Sequence, residues 1–183
     1  ISYAADTIKF STNGVERMAI TDSGVTGTGI GGKFASYAII GDQKSSTTSG
    51  GTFTTGAWRT RDLNAELRDV DGIVSLNNNQ FTLAAGSYLV RASAPAHRVN
   101  NHQIRLRNIT DSVSTEFGSS EWSHYNYATT TRSFLSAQFT ISGSKAFEIQ
   151  HRCSTTYSSI GFGRTSDFGA IELYTLVEIY KES

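Results

Sequence analysis

The run EWSHYNYATTTR, residues 121–132, gathers the side chains best suited to recognising something. Trp122, Tyr125 and Tyr127 offer flat apolar faces that suit sugar C–H surfaces or a protein hot spot, and His124, Asn126 and Arg132 offer hydrogen bonds. On an extended backbone Trp122, His124 and Asn126 share one side, and Tyr125 and Tyr127 share the other. One face presents all of them only if the chain bends. A second turn-rich run, HRCSTTYSSIGFGRTSDFG at 151–169, offers Tyr157, Arg164 and Asp167 for an exposed rim, with no spacing that fixes their distance from the first run. Trp122, His124, Tyr125, Tyr127, Arg132, Tyr157 and Arg164 are therefore the receptor-contact candidates. Packing of loops or subunits is the competing role for the same residues.

GTFTTGAWRTRDLN, residues 51–64, raises a different possibility. Alternation puts Arg59 and Arg61 on one side and Thr60 on the other, beside Trp58 as an anchor. The planar arginine fork suits Asp62, Glu66 or Asp69, or a carboxylate of a neighbouring subunit. Trp58, Arg59 and Arg61 are read as scaffold.

Catalytic patterns are scarce. His97, His102, His124 and His151 are scattered, no H-E-x-x-H pair occurs, and Cys153 has no second cysteine with which to hold zinc or close a disulfide. Cys153 reads as a small buried hydrophobe. Asp69 and Asp71 in RDVDG hint at a calcium loop, but the following IVSLNN lacks the oxygen ligands of an EF-hand. No G-x-S-x-G elbow is present, and the glycine runs lack the context of phosphate or dinucleotide loops. A triad assembled in space is beyond what spacing decides. The expectation is a non-enzyme with no metal and no cofactor.

The 183 residues suit one main body, and 16 basic residues balance 16 acidic ones. That balance provides no field for nucleic acid or an anionic membrane, and no apolar run approaches the ~20 residues of a membrane span. Neither nucleic-acid binding nor membrane insertion is expected. One proline, 17 glycines and many Ser, Thr and Asn favour short strands and polar turns over helices.

TIKFS and ERMAIT flank Asn13-Gly14, a pair suited to a tight hairpin. So small a hairpin leaves Ile8, Phe10, Met18 and Ile20 in need of a cover. VTGTGIGGK then reads as a connector, with a boundary near residue 32: an amino-terminal hairpin and connector over 1–32 and a body over 33–183. The chain opens on Ile with a strand phrase already under way, as expected of a piece of something longer. In the body, KFASYAII is a strand followed by a polar loop, GDQKSSTTSGG. WRTRDLNAEL is a strand or an irregular turn, and DGIVSLNNNQFTLAAGSYLVRASA is strand, turn, strand, turn, strand. HQIRLRNI, SFLSAQFTI and KAFEIQH alternate, the last with Glu148 and Gln150 outward. In AIELYTLVEIYK, Ile171, Leu173, Val177 and Ile179 take one face and Tyr174, Leu176 and Tyr180 the other, which predicts a central strand with a subunit or second sheet outside it. Eight to ten strands in this length predict a jelly-roll β-sandwich, with a lectin-like sandwich or compact barrel as alternatives.

DTIKFSTNGVERMAI, DQKSSTTSGGTFTTGAWRTRDLN and the long run from DGIVSL to RLRNIT resemble carboxy-terminal modules of bacteriophage fibre and related virion proteins. GSYLVRASAPA and AIELYTLVEIYK resemble strands of the C1q/TNF-like trimeric jelly-roll class. The resemblance implies a homotrimer on the virion surface, joined to other fibre or capsid components, with the amino-terminal segments as stem. It also implies roles in assembly or attachment to a host surface glycan or protein. No Gly-X-Y repeat precedes the body, unlike collagen-stalked relatives. Three copies would let Ile8, Phe10, Met18 and Ile20 cover one another, and Tyr174 and Tyr180 join the scaffold or intersubunit candidates. The alternatives are a monomeric carbohydrate-binding β-sandwich and a glycan-hydrolysing tail protein.

Overall fold

A computed structural model describes residues 2–4, 7–21, 24–27 and 34–182. The chain divides into two compact units, residues 1–35 with 182–183 and residues 36–181. Among the described residues there are strands β1 to β16 and no helix.

In the first unit, Asn13 and Gly14 both take positive φ, at 51° and 74°, the backbone of the turn whose twist matches a two-residue hairpin. The hairpin joins β2 (Thr7–Thr12) to β3 (Val15–Thr21). The sequence pattern gives a two-stranded hairpin without a partner, but β1 (Ser2–Ala4) and β4 (Gly24–Gly27) flank it in an antiparallel sheet of order β1-β2-β3-β4. Pairing of Ile8 with Ile20 and Phe10 with Met18 gathers all four on one face, and Val25 stands opposite Ile20. Extra strands complete backbone pairing without covering this face, so Ile20 and Val25 remain exposed. The boundary expected near residue 32, with residues 28–33 of the connector, lies outside the described residues.

The second unit is a sandwich. One sheet has the order β14-β10-β16-β5-β7, formed by Thr130–Ile141, Gly86–His97, Glu172–Glu182, Phe34–Lys44 and Ala65–Asp69. The other has the order β12-β11-β15-β9-β8, formed by Val113–Phe117, Asn100–Asn108, Lys145–Cys153, Gln80–Leu83 and Val74–Asn77. Here β13 (Glu121–Ser123) pairs with β11 and β6 (Arg59–Thr60) pairs with β15. Alternation set this layering: Tyr88, Val90, Ala92 and Ala94 of β10, Ile104 and Leu106 of β11, Leu135 and Ala137 of β14, and Phe147 and Ile149 of β15 all enter the core. Asn78 and Asn79 both take positive φ in the tight β8–β9 turn. A smaller cluster of Phe53, Ala96, Val99 and Cys153, with Tyr157 and Phe162 against it, closes one end.

Two expectations are corrected and two readings gain detail. Residues 41–44 belong to β5 and not to a loop, because Asp42 is buried and ion-paired with Lys44 at 2.9 Å. Glu148 points away from the core yet is buried, accepting hydrogen bonds from Thr60 Oγ1 at 3.1 Å, Gln80 Nε2 at 3.3 Å and Gln150 Nε2 at 2.5 Å. In β16, the consecutive burial of Tyr174 and Thr175 reverses the alternation, so Ile171 and Leu173 are exposed and Tyr174 lies inside, no longer sharing a face with Tyr180. β16 is nonetheless the central strand of its sheet. Asp69, considered for calcium, caps a turn: its two carboxylate oxygens accept from Ile73 N and Val74 N, both at 2.9 Å.

Candidate functional site

Beside the small end cluster lies a buried polar layer built by Arg61. The chain leaves β6 in one sheet and enters β7 in the other, so residues 61–64 cross between the layers and Arg61 is carried inside. Its guanidinium donates to Thr175 Oγ1 at 2.9 Å, Phe162 O at 2.9 Å and Pro95 O at 3.4 Å, and lies 4.2 Å from the centre of the Phe162 ring. Burial lowers its pKa to about 9 against the opposing pull of Asp42 and Asp62. Arg61 thus does not pair with Asp62, Glu66 or Asp69 beside Arg59. Lys44 takes Asp62 at 2.9 Å, and Arg59 donates to the carbonyls of Thr54 and Thr55 at 3.1 and 3.2 Å.

His102 and His151 complete the layer. His102 Nδ1 stands 3.0 Å from His151 Nε2, and His102 Nε2 stands 2.8 Å from Thr131 Oγ1. Among the described residues His151 Nδ1 has no partner. Two neutral rings satisfy this geometry when His102 donates from Nε2 and His151 from Nε2, leaving only an acceptor lone pair unmet. Burial, reinforced by Arg61, lowers both pKa values, that of His102 to about 4. Cys153 is buried and burial raises its thiol to about 11, as suits a packing residue.

On the outer side of this sheet a groove of about 870 Å³ runs across β15 and β11. Trp58, just before β6, forms one wall, and Trp122 on β13 forms the other. The order β6-β15-β11-β13 puts these walls about 14 Å apart, three strand spacings. Asn101 pairs with Trp122 and Gln103 with Arg152, so the floor between the walls is polar. Trp58 is fixed by Arg105, whose guanidinium carbon lies 4.3 Å from the ring centre, and by Phe117 at 6.0 Å. Arg105 is held in turn by Gln150 Oε1 at 2.7 Å and Ser114 Oγ at 3.1 Å. Trp58 is thus an anchored ring, held by a residue far away in sequence.

The bend required by EWSHYNYATTTR is present, because β13 ends at Ser123 and residues 125–128 turn. It sorts the aromatics into two groups. Trp122 meets His124 at 4.8 Å and His124 meets Tyr127 at 4.4 Å, with Trp122 52% exposed. Tyr125 instead meets Tyr157 at 5.8 Å, and Arg98 lies over Tyr157 at 4.9 Å while donating to Tyr125 O at 2.6 Å. Tyr157 does come beside the first run, but half-buried against the end cluster and not as an exposed rim. Arg132 does not join either group: it lies on β14, bonded to Ser93 Oγ at 3.1 Å and Tyr174 O at 2.5 Å. Arg164 is exposed, and its charge acts on His97, lowering that pKa after burial. Arg98, Asn101 and Arg152 escaped sequence reasoning. Outward alternation of β11 flagged Gln103, but its partner across the sheet had no local signal.

The opposite face of the sandwich is different in kind. Phe134 is 58% exposed there, and Tyr37, Leu67 and Leu173 are also exposed on the same sheet. A second cavity of about 520 Å³ lies there between Arg91, Ser93, Phe134, Leu176 and Glu178.

No protein family model matches the chain, and no curated protein matches it. Among solved structures, the globular domain of zebrafish complement 1qA is 14% identical, over 79% of this chain and 95% of that one, with a TM-score of 0.51. The PRD1 vertex protein is 11% identical over 83% and 100%, at 0.52, and Eiger TNF from S. frugiperda is 9% identical over 80% and 92%, at 0.53. The fold is accordingly an all-β jelly-roll sandwich of the C1q/TNF-like kind.

Proposed function

We propose that the chain is a non-enzymatic, homotrimeric module of a virion appendage that serves in assembly and in attachment to a host surface. The carrying observation is the outer face of the β14-β10-β16-β5-β7 sheet, where Phe134, Tyr37, Leu67 and Leu173 stand exposed on a sandwich whose core is already complete. Such a patch is costly in water and is covered when copies pack by closed symmetry. The exposed face of Ile20 and Val25 in the first unit makes the same demand, as expected of a stem. Likeness to the PRD1 vertex protein supports the virion setting. Attachment falls to the Trp122–His124–Tyr127 group, on the side away from that patch, where threefold repetition turns weak contacts into avidity.

Two substitutions separate these roles. Phe134→Asp, which puts a charge in the patch, is expected to dissociate the trimer and leave a folded monomer; an unchanged mass would take Phe134 out of the interface. Trp122→Ala is expected to leave assembly intact and weaken binding to susceptible cells at least about tenfold, the scale of a hot-spot aromatic. Unchanged cell binding would remove Trp122 from the contact surface.

The Trp58–Trp122 groove also bears on the alternatives. Trp122 and Tyr125 do not form one platform, and the groove lining contains a single carboxylate, Glu121, where hydrolysis by a carboxylate pair needs two.

A further inference from the structure

We infer that the groove between Trp58 and Trp122 is a binding site for a pyranose sugar bearing a carboxylate, an inference that rests on the attachment reading above and gives it a ligand class. Its size falls within the range of small-molecule sites. Its walls are two tryptophans, flat apolar surfaces against which the C–H faces of a sugar ring pack. Trp58 is held in place before any ligand arrives, by Arg105, Gln150 and Ser114 acting as one connected support. Ordering that wall costs a ligand nothing, which matters for a weakly binding sugar.

The floor supplies the selectivity. Arg152 is exposed, and among the described residues its guanidinium makes no hydrogen bond or ion pair. A planar guanidinium with a free fork suits a carboxylate held by two parallel hydrogen bonds. Arg105 and Arg107 project from the same outward side of β11, adding positive field beside Arg152. Burial chiefly, with Arg107 and Arg152, works against the charge on Arg105, and Glu148, paired across the sheet with Arg107, offsets part of that repulsion. Gln103 donates its amide to Gly118 O at 2.8 Å, which turns its carbonyl oxygen into a fixed acceptor for a sugar hydroxyl. Glu121 is the one acidic group of the lining; it accepts from Ser119 Oγ at 3.0 Å and sits at the rim, where its second oxygen can take another hydroxyl. A neutral sugar would use the walls and leave Arg152 idle. A bare carboxylate would use Arg152 and leave the walls idle.

The test uses the whole chain with three probes: methyl α-D-galacturonide, N-acetylneuraminic acid and neutral methyl α-D-galactoside. Binding is followed by tryptophan fluorescence and by saturation-transfer NMR. At least one acidic probe is expected to bind about tenfold tighter than the neutral one, and Arg152→Gln to abolish that preference without changing the mass of the assembly. The two acidic probes distinguish a uronic acid from a nine-carbon acid. Equal binding of acidic and neutral probes, absence of saturable binding by all three, or an undiminished preference in Arg152→Gln would overturn the inference. Cell attachment measured on the same preparations keeps the parent reading separate: attachment lost in Trp122→Ala but kept in Arg152→Gln retires the sugar and leaves the contact surface standing.

Discussion

At the scale of single residues, the least expected feature is how much polar chemistry is buried at one end of a small sandwich. Arg61, His102 and His151 lie together under Phe53 and Phe162, and Arg61 is satisfied by two main-chain carbonyls and a hydroxyl instead of a carboxylate contact. Buried groups of this kind specify one arrangement of loops, because each carbonyl that accepts from Arg61 comes from a different segment. They also make stability depend on pH. Both histidines have folded pKa values below the unfolded 6.5, so the unfolded chain binds more protons as pH falls. Their contribution is therefore complete above about pH 6.5 and is lost as pH falls towards the folded values. For His102 the interval from 6.5 to about 4 corresponds to about 3 kcal/mol. Melting temperature is expected to fall by about 6–12 °C between pH 6.5 and pH 4 from this source alone. A His102→Gln, His151→Leu double variant should show a flatter pH dependence; a slope equal to that of the wild type would exclude the pair as its cause.

At the scale of elements, the strands that the sequence made legible are those with one clean buried face. β10, β11, β14 and β15 alternate in hydrophobicity because one side meets the core, and two other hairpins, β2–β3 and β8–β9, are marked by left-handed backbone at Asn13-Gly14 and Asn78-Asn79. What stayed hidden depends on partners distant in the chain. Alternation groups Arg61 with Arg59 on one side because nothing local says that residues 61–64 cross between sheets. Alternation in β16 runs unbroken through Tyr174 in the sequence pattern because a local reversal has no composition signal. The groove was invisible because Asn101 meets Trp122 and Gln103 meets Arg152 only through strand pairing. One loop shows how tightly these elements fit: Gly163 has φ of 149°, and a Cβ there would collide with the Tyr174 ring. Tyr174 is buried and donates from its hydroxyl to Thr48 O at 2.8 Å, so it has no free direction in which to retreat. Gly163→Ala is expected to cost about 1–3 kcal/mol, read as a lower denaturation midpoint. A midpoint within error of the wild type would mean that the loop and ring move freely.

At the scale of the whole molecule, the proposed reading divides the work between the two faces of the sandwich. The face with Phe134, Tyr37, Leu67 and Leu173 calls for protein cover, while the face with Trp58, Trp122 and Arg152 is polar and groove-shaped and suits a ligand in water. Packing three copies through the first face would leave the second available three times over. The net charge of zero is compatible with this division, which calls on no global field. Trimerisation is the claim on which the rest depends. The most direct measurement is the solution mass by light scattering coupled to size-exclusion chromatography. The account predicts a mass of three times 19.8 kDa that holds on dilution. A concentration-independent mass of 19.8 kDa would contradict it and leave a monomeric binding module in its place.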